Sequence, residues 1–202
     1  MLVTDDDLVA GRDLLGLALA AERGGASSVQ LRLKRAAARE QVRLARSLVE
    51  ALRIPVLVND RPDIALAAGA AGVHLGPDDV PVSLVRGIAP PGFVIGASVG
   101  SEAEAEAASH ADYWGIGPWR ASGTKRDAGE GLGAAGLHRL AGLSAGRPCL
   151  AIGGVRPEDV PEVVAAGASG VAVVSGILGM GDVEAATAAY ARALARFPGA
   201  SL

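Results

Sequence analysis

The stretch Ala68-Gly69-Ala70-Ala71-Gly72-Val73-His74-Leu75 returns later in the chain as Ala166-Gly167-Ala168-Ser169-Gly170-Val171-Ala172-Val173. In both copies an alanine-rich helix stops at glycine, and a tight turn of small residues feeds an apolar strand. Weaker echoes are Gly25-Ala26-Ser27-Ser28-Val29 and Ala108-Ser109-His110-Ala111-Asp112-Tyr113. Outward from these junctions, short Val- and Ile-rich runs recur at 2–3, 28–33, 54–58, 72–75, 94–99, 112–116, 148–152 and 170–174. Each is bounded by Gly, Pro or polar residues, as buried strands are. Stretches with helical spacing lie between them, such as 14–23, 39–52 and 160–166. Strand then helix, about eight times in 202 residues, predicts an α/β fold: one (β/α)8 barrel spanning 1–202. A doubly wound open sheet is the alternative, but it has fewer strands, and no Gly-rich dinucleotide fingerprint follows the first run here.

Composition agrees. Half of the residues are hydrophobic while aromatics are only 3%, so Ala, Val, Leu and Ile must make the core. A net charge of -3, with arginines scattered singly, argues against a nucleic-acid or anionic-membrane partner. No apolar run approaches a membrane span, and the N-terminus reads as a strand rather than a signal peptide. The one cysteine, Cys149, sits in an apolar run and reads as a small buried hydrophobe. The expected setting is the reducing cytoplasm.

In a barrel of this kind the active site stands at the C-terminal ends of the strands. Gln30, Arg32 and Lys34 alternate with Val29, Leu31 and Leu33, which puts the polar trio on the inward face near the upper end. Buried cations need a counter-charge, so an anion is expected there. Asn59-Asp60 ends the third strand, and Asp79 follows the fourth. Two carboxylates on neighbouring loops suit magnesium, which completes its shell with water and substrate phosphates; both would equally serve as helix caps. The sixth strand opens into a long polar, Gly-rich connection, 118–131, of the kind that covers substrates. Gly153-Gly154 after the seventh strand and Val174-Ser175-Gly176 after the eighth occupy the recurrent phosphate site of this fold.

Residue rarity adds to this. Of 19 basic residues only Lys34 and Lys125 are lysines, and Asn59 is the sole asparagine. A lysine that survives such a drift to arginine marks a place where a compact point charge is needed. By contrast, His74 reads as a packed or hydrogen-bonded barrel residue, and His110 and His138 as surface positions. Trp114 reads as packing, while Trp119 could border a substrate. Of Asp5, Asp6 and Asp7, one carboxylate is expected to face the site and the others to cap a helix. Glu102, Glu104 and Glu106 read as a solvated helix start.

The matches Val29-Gln30-Leu31-Arg32-Leu33-Lys34, Val58-Asn59-Asp60-Arg61, Gly72-Val73-His74-Leu75-Gly76 with Asp79, Gly115-Ile116-Gly117-Pro118, Thr124-Lys125 and Ala151-Ile152-Gly153-Gly154 fall in order. Together they resemble the thiamine phosphate synthase family, most closely between Val29 and Gly176. That resemblance implies joining a hydroxymethylpyrimidine pyrophosphate to a thiazole phosphate, with release of pyrophosphate. It implies that Asp60 and Asp79 hold magnesium on the pyrophosphate, and that Arg32, Lys34, Asn59 and Lys125 contact its oxygens, the two lysines acting in catalysis. Gln30 and Ser98 would help place the pyrimidine, while Ser122, Gly123, Thr124, Gly154, Val174 and Ser175 would cradle the thiazole phosphate. The implied mechanism is dissociative and needs no nucleophilic side chain. The chain departs from the family's usual pattern at Leu33, Pro77, Gly100 and 120–123. Two other readings stand beside this one: a thiazole tautomerase-like isomerase, against which Gly100 replaces the expected His, and a binder of thiamine intermediates without turnover. A homodimer is left open.

Overall fold

The computed structural model describes residues 1–121 and 131–197. Among them the chain runs β1 (Leu2–Val3), α1 (Leu14–Arg23), β2 (Val29–Leu31), α2 (Ala38–Ala51), β3 (Val56–Asn59), α3 (Pro62–Ala68), β4 (Gly72–Leu75) and α4 (Val82–Ile88). It continues through β5 (Val94–Val99), α5 (Glu102–Ala107), β6 (Tyr113–Ile116), α6 (Gly133–Gly142), β7 (Cys149–Ile152), a 3-10 turn (Pro157–Asp159) and α7 (Val160–Ala165). Last come β8 (Gly170–Ala172), α8 (Ser175–Leu178) and α9 (Val183–Leu194).

The strands lie side by side in chain order and each neighbouring pair is parallel. Leu2 bridges Val173, the Val3 N–H donates to the Val173 carbonyl at 2.9 Å, and the Val173 N–H donates to the Met1 carbonyl at 3.0 Å. The sheet therefore closes on itself, which excludes the open doubly wound alternative. The junction that repeats in the sequence behaves as its glycine requires: Gly69 ends α3 at φ +69°, and Gly167 follows α7 at φ +104°.

Period two divides each strand between two cores. The outward residues, among them Val29, Val58, Ile95 and Val171, pack on Ala18, Ala45, Leu48 and Ala65 of the surrounding helices. The many alanines let those helices approach closely, which explains the near absence of aromatics. The inward residues Met1, Val3, Leu57, Tyr113, Leu150 and Ala172 form a second, smaller core inside the barrel. Tyr113 fits there because β5 carries glycine beside it: a Cβ on Gly96 would lie 2.1 Å from the phenol Cζ.

Differences from the sequence reading have local causes. The second strand stops at Leu31, because past it Thr4 takes over the ladder with its side chain. The Thr4 Oγ1 accepts from the Arg32 N–H at 2.7 Å and donates to the Arg32 carbonyl at 3.2 Å. The acidic run after β1 caps no helix, since Asp13 stands at the start of α1. Instead Asp5 accepts from Asp7 and Leu8 in its own turn, and Asp6 accepts from the N–H groups of Lys34 and Arg35 at 2.9 and 3.1 Å. Trp114 is packing, fully buried with its indole N–H on the Ala108 carbonyl at 3.1 Å, and Cys149 is buried. His110 and His138 are exposed. No helix among the described residues is long and apolar enough to cross a membrane.

Candidate active site

A cavity of about 620 Å³ opens at the C-terminal ends of the strands. It collects Gln30, Arg32 and Lys34 from the end of β2, Asn59 and Asp60 from β3, Asp79 from the loop after β4, and Ser98 from β5. Gly154 from the loop after β7, with Val174 and Ser175 from that after β8, closes the opposite wall. Every sequence-derived site residue within the described region therefore lines one cavity. Ser122, Gly123, Thr124 and Lys125 lie outside the described residues.

The acidic side is tightly organised. Asp60 follows β3 at φ +63°, a left-handed conformation that costs a non-glycine residue energy and marks a position held for its side chain. Its carboxylate meets the Lys34 ammonium at 3.0 Å. Asp79 accepts from the Gly76 N–H at 2.6 Å, which bends the loop after β4 so that its carboxyl faces Asp60. Neither carboxylate caps a helix: Arg61 and Pro81 stand at the starts of α3 and α4. Burial first, and then hydrogen bonding to Asp60, push the Asp79 carboxyl up to about 6. Two carboxylates so close repel one another, and a cation between them relieves that repulsion. Paired with one lysine, that donor set fits a hard divalent ion with open positions for phosphate oxygens. Among the described residues no group of three or more carboxylate, imidazole or thiol side chains could enclose a metal by itself. Arg32 is already paired, with Asp5 at 3.3 Å.

The opposite wall is built of backbone. Gly153 and Gly154 both have positive φ, +94° and +69°. A Cβ on Gly153 would lie 2.7 Å from Pro118, so this turn nests against the start of the 118–131 connection. The Trp119 N–H donates to Ile152 at 2.7 Å and the Arg120 N–H to Gly153 at 2.9 Å. The Arg120 guanidinium reaches the Gly154 carbonyl at 3.1 Å and clasps both oxygens of Asp159. The far end of the connection returns to the same place, where the Leu132 N–H donates to Pro118 at 2.8 Å. Val174 and Ser175 begin α8, whose first N–H groups have no partner inside the helix.

Some residues of the site escaped the sequence reading. Glu104, a solvated helix start by sequence, in fact lines the cavity and accepts from the Gly100 N–H at 2.6 Å. The signal was there: Ser101 three residues before a Glu is a helix-start pattern in which the Ser101 hydroxyl accepts from the Glu104 N–H at 3.2 Å, and the carboxylate turns back past Ser101 to Gly100. His74 is packed and hydrogen-bonded as expected, yet it also lines the cavity, with Nδ1 3.0 Å from the Tyr113 hydroxyl and Nε2 3.0 Å from the Ser98 hydroxyl. Trp119 is buried rather than placed on the cavity wall.

Fold and rim together define a (β/α)8-barrel enzyme whose chemistry stands at the carboxyl ends of its strands. Residues 1–177 match the family described as thiamine monophosphate synthase. The chain is 47% identical over 190 residues to the thiamine-phosphate synthase of Methanoculleus marisnigri, covering 92% of this chain and 90% of that one. It is 46% identical over 198 residues to that of Xanthobacter autotrophicus, covering 96% and 93%. The solved thiamine phosphate pyrophosphorylase of Pyrococcus furiosus superposes with a TM-score of 0.86 at 35% identity, covering 98% of this chain and 96% of that one. The chain belongs to the thiamine monophosphate synthase family.

Proposed function

We propose that this chain is a transferase that joins hydroxymethylpyrimidine pyrophosphate to a thiazole phosphate, giving thiamine phosphate and pyrophosphate. The observation that carries this reading is the division of one cavity into two anion-binding sides. Asp60, Asp79 and Lys34 stand on one wall, and the Gly153–Gly154 turn with the start of α8 on the other. One substrate brings a pyrophosphate and the other a single phosphate, so two unlike anion sites facing one space are what the reaction requires. Membership of the family supports the same reading.

In this reading the bond between the pyrimidine's methylene carbon and the pyrophosphate oxygen breaks first, and its electron pair leaves with the oxygen. The thiazole nitrogen then donates its lone pair to the methylene carbon, which closes the new C–N bond. Asp60 and Asp79 would hold magnesium, which supplies a hard Lewis acid for the departing charge. Lys34, Lys125, Arg32 and Asn59 bind the pyrophosphate oxygens, and the lysines take up charge as it develops. Gln30 and Ser98 orient the pyrimidine. Gly154, Val174 and Ser175, with Ser122, Gly123 and Thr124, hold the thiazole phosphate so that its nitrogen faces the reacting carbon. The barrel walls exclude water, which would otherwise capture the cation. A lone buried Cys149 suits a reducing, cytoplasmic setting.

Product analysis tests the reading. Purified protein is given magnesium and both substrates, then each substrate alone. Thiamine phosphate and pyrophosphate in equal amounts, only with both substrates, is the expected result. Conversion of the thiazole phosphate alone would point to an isomerase, and binding without turnover to a non-catalytic binder.

A further inference from the structure

Behind the glycine turn after β7, four consecutive backbone carbonyls are each held by a donor from another element. The Ile152 and Gly153 carbonyls accept from the Trp119 and Arg120 N–H groups, at 2.7 and 2.9 Å, and the Gly154 carbonyl from the Arg120 guanidinium at 3.1 Å. The fourth, that of Val155, accepts from the Tyr190 hydroxyl at 2.9 Å. The turn is thus held from two sides while its residues line the cavity. Tyr190 itself stands on α9, does not line the cavity, and lies beyond the residues 1–177 that match the family.

The buried stripe of α9 is Val183, Thr187, Tyr190 and Leu194, at helical spacing. Thr187 satisfies its hydroxyl inside the helix, on the Val183 carbonyl at 2.7 Å, whereas Tyr190, only 2% exposed, sends its hydroxyl out to Val155. Burial first, and then the Glu158 and Asp159 carboxylates, push the phenol up to about 12, so it keeps its hydrogen and donates it. The same oxygen sits against Gly176, in the first turn of α8: a Cβ there would lie 2.2 Å from it and 3.0 Å from Val173 Cγ1. Gly176 has no positive φ, so the close approach of the hydroxyl, and not backbone conformation, is what requires glycine. Helix α9 is itself fixed at its start, where a Cβ on Gly24 would lie 2.5 Å from the Glu184 carbonyl and Arg23 pairs with Glu184 at 2.8 Å. One phenol oxygen therefore bonds the loop after β7 and touches the backbone after β8.

From this geometry we infer that Tyr190 is a positioning residue that sets the spacing between the Gly153–Gly154 turn and Ser175, and with it the seat of a phosphate monoester. This rests on the reading that these two loops hold the thiazole phosphate. Removing the hydroxyl leaves the Val155 carbonyl without its donor and opens space against Gly176, which relaxes the spacing of the loops. The substrate held by both loops should then bind less well. The pyrophosphate side, built on the ends of β2, β3 and β4, has no contact with Tyr190 and should be unaffected.

The test is steady-state kinetics with each substrate varied in turn, in wild type, Tyr190→Phe, Gly176→Ala and the double variant. Tyr190→Phe keeps the ring and should raise KM for the thiazole phosphate about tenfold, with KM for the pyrimidine pyrophosphate as in wild type. Gly176→Ala forces a methyl group against the hydroxyl and should raise the same KM further. Adding Tyr190→Phe removes the clashing atom and leaves Cζ 3.3 Å from the new Cβ. The double variant should therefore bind the thiazole phosphate better than Gly176→Ala alone. A general loss of stability would not split the two KM values. An unchanged KM for the thiazole phosphate in Tyr190→Phe, or an equal rise in both KM values, would overturn the inference, as would additive losses in the double variant. If Gly176→Ala does not fold, Tyr190→Phe decides alone. A wild type that makes no thiamine phosphate would instead sink the functional reading, and this inference with it.

Discussion

At the scale of single residues, scarcity was the most informative signal. Lys34 and Asn59, rare types in this chain, both line the cavity, and Lys34 lies 3.0 Å from Asp60. What scarcity could not show is pairing: Arg32 and Lys34 looked like buried cations awaiting a ligand, and each already has a protein carboxylate beside it. Partners from distant loops leave no periodic trace. The same scarcity applies to the other lysine, Lys125. Lys125→Arg conserves charge but replaces a rotatable point charge with a planar fork. Its kcat should fall roughly a hundred- to a thousandfold, the usual loss when one transition-state contact is removed. Arg43→Lys is the control, because Arg43 pairs with Glu40 on the exposed face of α2, and solvent screens such a pair so that either cation serves. A loss confined to KM in Lys125→Arg would make that lysine a ground-state clamp rather than a group acting on the departing charge.

At the scale of elements, strand positions were readable from apolar runs, while strand ends were not, because they are set by side chains standing in for backbone. Thr4 clasping Arg32 and Asp6 holding the Lys34 and Arg35 amides are long-range substitutions of that sort. Glu104 shows the converse, a local capping pattern that was legible and was read only as a charge run. The clasp between Arg120 and Asp159 ties the 118–131 connection to the loop after β7, and neither partner announced it. Asp159 is buried, and the Arg120 guanidinium, followed by the Arg156 N–H at 2.8 Å, holds its carboxyl below the usual carboxylate range. A depressed folded-state pKa contributes stability above the unfolded value of about 3.9 and loses it as pH falls toward the folded value. Asp159→Asn should therefore be less stable than wild type by about 1–2 kcal/mol at neutral pH. Urea unfolding at a series of pH values should show the gap narrowing below about pH 4. A gap independent of pH would mean that the pair contributes packing alone.

At the scale of the whole molecule, eight repeats of strand and helix, with few aromatics, sufficed to specify a closed barrel, because every unit needs the same small-residue helix packing. The inner core was less legible, since inward and outward residues are both apolar in a strand buried on two faces. Gly96 against Tyr113 is the plainest case of this hidden fit. Gly96→Ala would drive a methyl group into the phenol, and overpacking of this kind costs about 1–3 kcal/mol. Thermal unfolding should register that loss, and an unchanged melting temperature would mean that the barrel interior yields more than its packing implies. The closed barrel brings the carboxylates after β3 and β4 to one rim, opposite the glycine turn after β7. Turnover of the two substrates against magnesium concentration, in wild type, Asp60→Asn and Asp79→Asn, tests that arrangement most directly. Thiamine phosphate should form only when magnesium is present, and each variant should lose roughly a hundredfold or more in rate with its melting temperature little changed. Product formed as fast without the metal, or by either variant at the wild-type rate, would contradict it.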